Sequence, residues 1–254
     1  MSNKLVKQIL NKKFKCIFIS PHFDDAVLSC GSLLMHLTGK TSITIINVFT
    51  KAHKKPYTLS ARKFLKESNG GSDATVLFKE RFKEDKNVLS SLNVKIINLG
   101  LVDALFRKKN NFNFLGKVFP EINHIYPTYK WHVVRRISPH DHATTQLKKI
   151  LKKFNGEKIL VFAPYGIGNH ADHVITRKVC EDLFDNLILY SDFPYNLRAN
   201  NYGHADESYQ EFELKVNLSK KSSLIKLYKT QFQGLFPDGK VPSHKEVYFL
   251  SKKL

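Results

Sequence analysis

Two short stretches concentrate the side chains from which a reaction centre can be built. The first, Ser20-Pro21-His22-Phe23-Asp24-Asp25, follows directly on the apolar run 16–19 and leads straight into a helical pattern, which packs an imidazole and two carboxylates at the carboxyl end of a strand. Adjacent carboxylates at a partly buried turn repel each other and lose solvation, and a helix N-terminus returns only about 0.3–1 kcal/mol per charge. A divalent cation compensates far more. An N-cap role explains one aspartate, but neither the second nor His22. The second stretch, Pro164-Tyr165-Gly166-Ile167-Gly168-Asn169-His170-Ala171-Asp172-His173, follows the apolar run 159–163 and again leads into a helix. His170 and His173 are three residues apart and share one helical face, with Asp172 between them able to orient a ring. This is the spacing of a metal or acid/base site.

A competing reading uses the same loop. Gly166-Ile167-Gly168-Asn169-His170-Ala171 fits Gly-X-Gly-X-X-Ala between a strand and a helix, and Asp192 follows the next strand, where a ribose-binding acid would sit. A dinucleotide- or nucleic-acid-binding protein is therefore the alternative function. It ranks below the metal reading because it leaves His22, Asp24 and Asp25 without a task. His140 and His142 precede a helix and not a strand-end crevice, and Ser29 and Cys30 lie inside a helix with no neighbouring base, so neither pair is assigned chemistry.

The elements that must position these loops follow from periodicity. Runs 16–20, 43–49, 94–99, 159–163 and 187–190 are short, mostly branched and bounded by polar residues, as strands buried on both faces should be. Between them, 26–37, 76–92, 147–154 and 174–184 carry helical apolar spacing. Their alternation predicts an α/β, Rossmann-like fold: a mainly parallel sheet flanked by helices, with the functional loops beyond the strands' carboxyl ends. A strand at 212–216, a helix at 224–232 and a strand at 247–250 make a C-terminal β-α-β extension. Stretches 50–71 and 106–140 are too long for ordinary connections and read as insertions or lids near the site. One domain over 1–254 is the simplest organisation.

Composition bounds the remaining classes. With 254 residues, 42% hydrophobic, the chain can bury a sizeable core, which excludes disordered and fibrous classes. Lys and Arg total 41 against 22 Asp and Glu, a formal charge of +19, but the lysines are scattered through every segment instead of forming a nucleic-acid arm, so no nucleic-acid partner is expected. Cys16, Cys30 and Cys180 are odd in number, widely separated and lack Cys-X-X-Cys spacing, which fits a reducing, cytoplasmic compartment. No apolar run approaches the roughly 20 residues that span a bilayer, and no secretory leader is read at the N-terminus.

Pro21-His22-Phe23-Asp24-Asp25-Ala26, followed by Leu28-Ser29-Cys30-Gly31, resembles the signature of the PIG-L/LmbE-like deacetylases, and Gly168-Asn169-His170-Ala171-Asp172-His173 resembles the same family's downstream His-X-Asp-His element. Arg81-Phe82-Lys83-Glu84-Asp85, Leu99-Gly100-Leu101-Val102-Asp103 and Asp192-Phe193-Pro194-Tyr195 extend the likeness. Phe23 and Ala171 replace the family's usual prolines and Ala26 a frequent Glu, at positions that carry no ligand atom. The resemblance implies that His22, Asp25 and His173 bind a catalytic Zn2+, or another divalent metal such as Fe2+. It further implies Asp24 as general base, His170 polarising the carbonyl, Asp172 orienting His170, and Arg81 and Asp103 contacting substrate. The reaction implied is hydrolysis of an N-acetyl or related N-acyl group on an amino sugar or small conjugate by a metal-activated water, leaving acetate and a free amine. The expected partner is that small N-acetylated molecule, without membrane insertion; a homo-oligomer is compatible with the insertions.

Overall fold

The computed structural model describes residues 3–68, 70–111, 113–197 and 209–251. Asn69, within the first expected insertion, and Phe112, within the second, lie outside them. Five parallel strands occur where branched apolar runs predict them: β1 (Lys15–Ser20), β2 (Ile43–Lys51), β3 (Lys95–Val102), β4 (Ile159–Pro164) and β5 (Leu187–Tyr190). Two further strands, β6 (Tyr209–Lys215) and β7 (Lys245–Ser251), join antiparallel, and the sheet order is β3-β2-β1-β4-β5-β7-β6. The edge strand β6 carries Glu211, Glu213 and Lys215 outward, charges that discourage further pairing.

Side chains alternate between the two faces of the sheet, so each strand feeds two cores. On one face Phe18, Ile45, Phe162 and Tyr190 pack beneath α1 (Asn3–Asn11), α2 (Asp25–Leu37) and α4 (Ala74–Ser91). On the other, Ile17, Ile46, Val161 and Leu189 pack beneath α5 (Ala143–Leu151) and α6 (Ala171–Leu183). Phe18 and Phe162, paired in register across β1 and β4, stack with centroids 4.3 Å apart. The chain winds outward from β1 to β2 and β3 on one side and through β4 to β5 on the other. The loops after β1 and β4 therefore leave the sheet side by side at the point where the winding reverses, the place in such sheets where a crevice opens.

Three elements differ from expectation. Helix α1, with Leu5, Val6 and Ile9 buried, is not foreseen, because the nine residues are short and lysine-flanked. Helix α2 is buried nearly all round, since the C-terminal segment covers its outer face: Gly31 lets the Lys221 stem approach, and Lys221 pairs with Glu246 in the interior. The helix expected at 224–232 is broken into α7 (Leu218–Ile225) and α8 (Lys229–Leu235). Tyr228 is the reason: the chain tightens through Leu227 N–H to Leu224 O and Tyr228 N–H to Ile225 O, which buries the ring and lets its hydroxyl donate to Asp85. Stretch 50–71 holds α3 (Leu59–Glu67), started by a Thr58 side-chain cap, and 106–140 is a succession of single helical turns.

Candidate active site and metal centre

His22 and Asp25 stand on the turn between β1 and α2. Ser20 shapes this turn, its hydroxyl donating to His22 O and accepting from Ala26 N–H at 2.9 Å. Neither aspartate caps α2 with its side chain. Asp25 instead accepts the His22 backbone N–H at 2.8 Å, and the same oxygen, Oδ2, lies 3.2 Å from His22 Nδ1 and 3.3 Å from His173 Nε2. One ligand-capable atom from each of His22, Asp25 and His173 lies within 4.8 Å of the other two. The far nitrogen of each ring meets its own carboxylate: His173 Nδ1 lies 2.6 Å from Asp192 and His22 Nε2 lies 3.2 Å from Asp172. Such outer carboxylates hold a ring nitrogen protonated and leave the inner one free to ligate.

The electrostatics calls for a cation at this point. Burial by itself lowers an imidazole's pKa, yet hydrogen bonds to Asp172 and Asp25 carry His22 up to about 9, and Asp25 and Asp192 carry His173 well above its ordinary value. Burial would raise Asp25, but the two rings, His173 foremost, hold it well below the usual carboxylate range. Three buried carboxylates converging on two rings demand positive charge, which a divalent ion supplies when the rings are neutral. Two nitrogens and one oxygen also leave positions open, as catalytic metal sites require.

The remaining expected residues surround this group. Asp24 accepts from Arg81 Nη2 at 3.2 Å; burial raises its pKa and Arg81 opposes the rise. Arg81 is buried, on α4, with its guanidinium 5.5 Å from the Phe78 ring centroid and 6.0 Å from that of Phe23, and its Nε has no partner among the described residues. His170 is the N-cap of α6: its Nδ1 accepts the Asp172 backbone N–H, which assigns the ring proton to Nε2. Burial and the neighbouring His22 push His170 down to about 3, so the ring is neutral. The Asp172 carboxylate does not reach His170 through any hydrogen bond among the described residues. It receives Arg107 on one oxygen, and on the other accepts Ala104 N–H at 2.9 Å and meets His22. Orientation of His170 thus comes from the backbone of Asp172, while its carboxylate serves His22. His22, His170 and Asp172 form a second convergent group, but the Arg107 guanidinium against Asp172 opposes a cation there. Asp103 caps the turn after β3 through Leu105 N–H and brings its other oxygen within 3.5 Å of His22 Nε2.

His22, Asp24, Asp25, Arg81, Asp103 and His170 line one cavity of about 610 Å³, into which Ser60 and Lys63 project from stretch 50–71, Tyr129 and Trp131 from 106–140, and Gln231 from α8; His173 and Asp172 are not part of its lining. Two supporting residues escape sequence reasoning. Arg107, followed by two lysines, reads as part of a solvated basic run, but it is buried between Asp172 and Asp141, with Tyr126 donating to the latter at 2.7 Å. From the sequence, Asp192 reads only as a ribose ligand or a supporting motif residue. Its second oxygen accepts Gly166 N–H and Ile167 N–H at 2.7 and 2.8 Å, a turn that Gly166 and Gly168 permit with φ of +86° each. The loop amides that a dinucleotide phosphate would need are therefore already bound to a carboxylate. This overturns the dinucleotide reading of 166–171.

Residues 17–184 match the family described as PIG-L, GlcNAc-PI de-N-acetylase. The chain belongs to the PIG-L family. Membership makes it a hydrolytic N-deacetylase, and the matched span contains both site motifs. A 2'-N-acetylparomamine deacetylase from Niallia circulans is 25% identical over 93% of this chain and 90% of its own length. The fold is shared with the zinc-inhibited form of teicoplanin deacetylase Orf2 (18% identity, 92% of this chain and 97% of that one, TM-score 0.66). It is shared more distantly with N,N'-diacetylchitobiose deacetylase from Pyrococcus horikoshii (13% identity, 98% and 90%, TM-score 0.53). The donors of the His-Asp-His group, two ring nitrogens and one carboxylate oxygen, are of the kind that could hold a divalent metal ion.

Proposed function

We propose that this PIG-L protein removes an N-acetyl group from an amino sugar or small sugar conjugate, with Zn2+ held by His22, Asp25 and His173. The observation that carries the reading is the shared Asp25 oxygen between two rings, each backed by a separate carboxylate, at the floor of a cavity of sugar size. A bound metal of this kind polarises an amide oxygen and acidifies water. Asp24 is next to the ligand set without belonging to it, and serves as the base that takes a proton from water at the carbonyl and returns it to the leaving nitrogen. Its raised pKa suits both transfers, and Arg81 keeps the carboxylate turned into the cavity. His170, neutral with its proton on Nε2, donates to the carbonyl oxygen as negative charge develops there. Asp192 and Asp172 keep His173 and His22 in one tautomer. Asp103, on the cavity wall, offers an acceptor for sugar hydroxyls.

The relatives named for paromamine and diacetylchitobiose support a sugar amide as the substrate class. The test is metal analysis of purified protein together with acetate and free-amine release from N-acetylglucosamine derivatives. Stoichiometric zinc with both products supports the reading. Turnover that survives complete chelation removes the metal from it.

A further inference from the structure

Far more apolar surface is exposed beside the cavity than a water-facing loop needs. Phe114 is 72% exposed, Val118 73% and Phe119 59%; Phe114 opens one helical turn of stretch 106–140, and Val118 and Phe119 link it to the next. Leu59, 69% exposed at the start of α3, adjoins them, since its N–H donates to Glu121 at 2.9 Å. The next residue, Ser60, accepts from Tyr129 N–H and lines the cavity mouth, as does Trp131, itself 67% exposed. The apolar patch thus runs from the 114–119 turns across the α3 start to the rim of the active-site cavity. Scattered exposed apolar side chains are ordinary; a connected set of large ones marks an interaction surface.

The charge around the patch says what covers it. Residues 106–140 contain seven Lys and Arg against one acid, Glu121, and only Arg107 of the seven is buried. Lys117 Nζ lies 4.6 Å from the centroid of the exposed Phe114 ring, and the Arg135 guanidinium 5.7 Å from that of Trp131. Aromatic and aliphatic side chains with cations at their margins match a bilayer interface, where rings settle at the level of the headgroups and cations meet anionic lipid phosphates. No helix among the described residues is long and apolar enough to cross a membrane, so the contact is peripheral. We infer that residues 114–119, with Leu59 and Trp131, dock this protein on an anionic bilayer surface with the cavity mouth at the headgroups. The inference is independent of the substrate assigned above.

The test is co-sedimentation of the full chain with vesicles of neutral phosphatidylcholine or of phosphatidylcholine containing about 30% phosphatidylglycerol, at low and at 0.5 M salt. The expected result is partitioning at least about 10-fold stronger on the anionic vesicles, weakened by salt. Phe114→Ser with Phe119→Ser should lower it by about 10-fold or more, with thermal unfolding and hydrolysis of a soluble N-acetyl sugar unchanged. Lys117→Gln, Arg135→Gln and Arg136→Gln together should lower it further than Lys149→Gln, Lys152→Gln and Lys178→Gln, which remove the same charge elsewhere. Equal losses in the two charge-removal variants would reduce the effect to net charge and overturn the proposal. So would absence of vesicle binding, or self-association of the wild type that Phe114→Ser and Phe119→Ser abolish, which would make a second copy the occupant. Retention on a nucleic-acid column at the affinity seen for vesicles would equally overturn it.

Discussion

Asp192→Asn tests the outer carboxylates most sharply, because the one side chain meets two demands that an amide cannot meet together. Its Oδ1 lies 2.6 Å from His173 Nδ1, and its Oδ2 accepts two backbone N–H groups of the 166–168 turn. If the asparagine oxygen keeps the two N–H groups, its NH2 faces His173 Nδ1 and forces the ring proton onto Nε2, the nitrogen that faces Asp25 and must ligate. If the oxygen keeps His173, the NH2 collides with two donors, and two buried amides lose their acceptor. The first arrangement costs less, since a buried unsatisfied donor costs about 1–3 kcal/mol. The variant should therefore fold, about 1–2 kcal/mol less stable through loss of the charge-assisted bonds. Its metal affinity should fall about 10- to 100-fold, the usual consequence of losing an outer carboxylate, or about 1.4–2.7 kcal/mol of binding free energy. Competition for zinc against a chromophoric chelator at fixed pH measures the affinity, and nitrogen chemical shifts of His173 report the tautomer. Wild-type affinity together with wild-type turnover would refute the reasoning, since a merely structural Asp192 would move stability alone.

Other outcomes follow from the same geometry. His22→Ala, Asp25→Ala and His173→Ala should each lower metal occupancy by about 10-fold or more, whereas Asp24→Asn should keep the metal and lose turnover; metal analysis beside acetate release separates them. His170→Ala should keep the metal and reduce kcat by about 10² to 10³, with an unchanged kcat removing the ring from the transition state. Arg81→Ala should depress hydrolysis of a sugar acetamide and of a small acyclic acetamide alike, because Arg81 holds Asp24, whereas Asp103→Ala should damage the sugar substrate more; kcat/KM on both substrates decides. Asp85, buried against Tyr228 and Asn47, is pushed up by burial to about 7. Its folded form therefore holds the proton more tightly than the unfolded chain, and stability falls by up to about 1.4 kcal/mol per pH unit from near pH 4 to near pH 7. Asp85→Asn should lack that fall, so the difference in Tm between variant and wild type should grow in the variant's favour across this window and then level off.

Much of the site was legible because its residues are local. The turn after β1 and the loop after β4 each carry their chemistry within ten residues, and strand periodicity places both loops at the same edge of a doubly wound sheet. Four of the five parallel strands were readable for the same reason, since burial on both faces calls for continuous branched apolar runs, whereas the edge strand β3 carries its branched residues but is only half-buried. What the sequence by itself determined was thus the sheet, the two motifs and the donor types they bring. The tertiary structure decided which atom serves which partner. Asp172 and His170 are two residues apart, yet the carboxylate turns to His22, 150 positions away, because the Arg107 guanidinium and Ala104 N–H draw it there. Asp192 follows a separate strand, and only the pairing of β4 with β5 brings it under the Gly166 turn to compete with a ligand for the same amides. Tyr228 breaks a helix that its own segment favours, since the acceptor for its hydroxyl is on α4. Hydrogen-bond direction and burial depend on neighbours distant along the chain, and no local spacing encodes them.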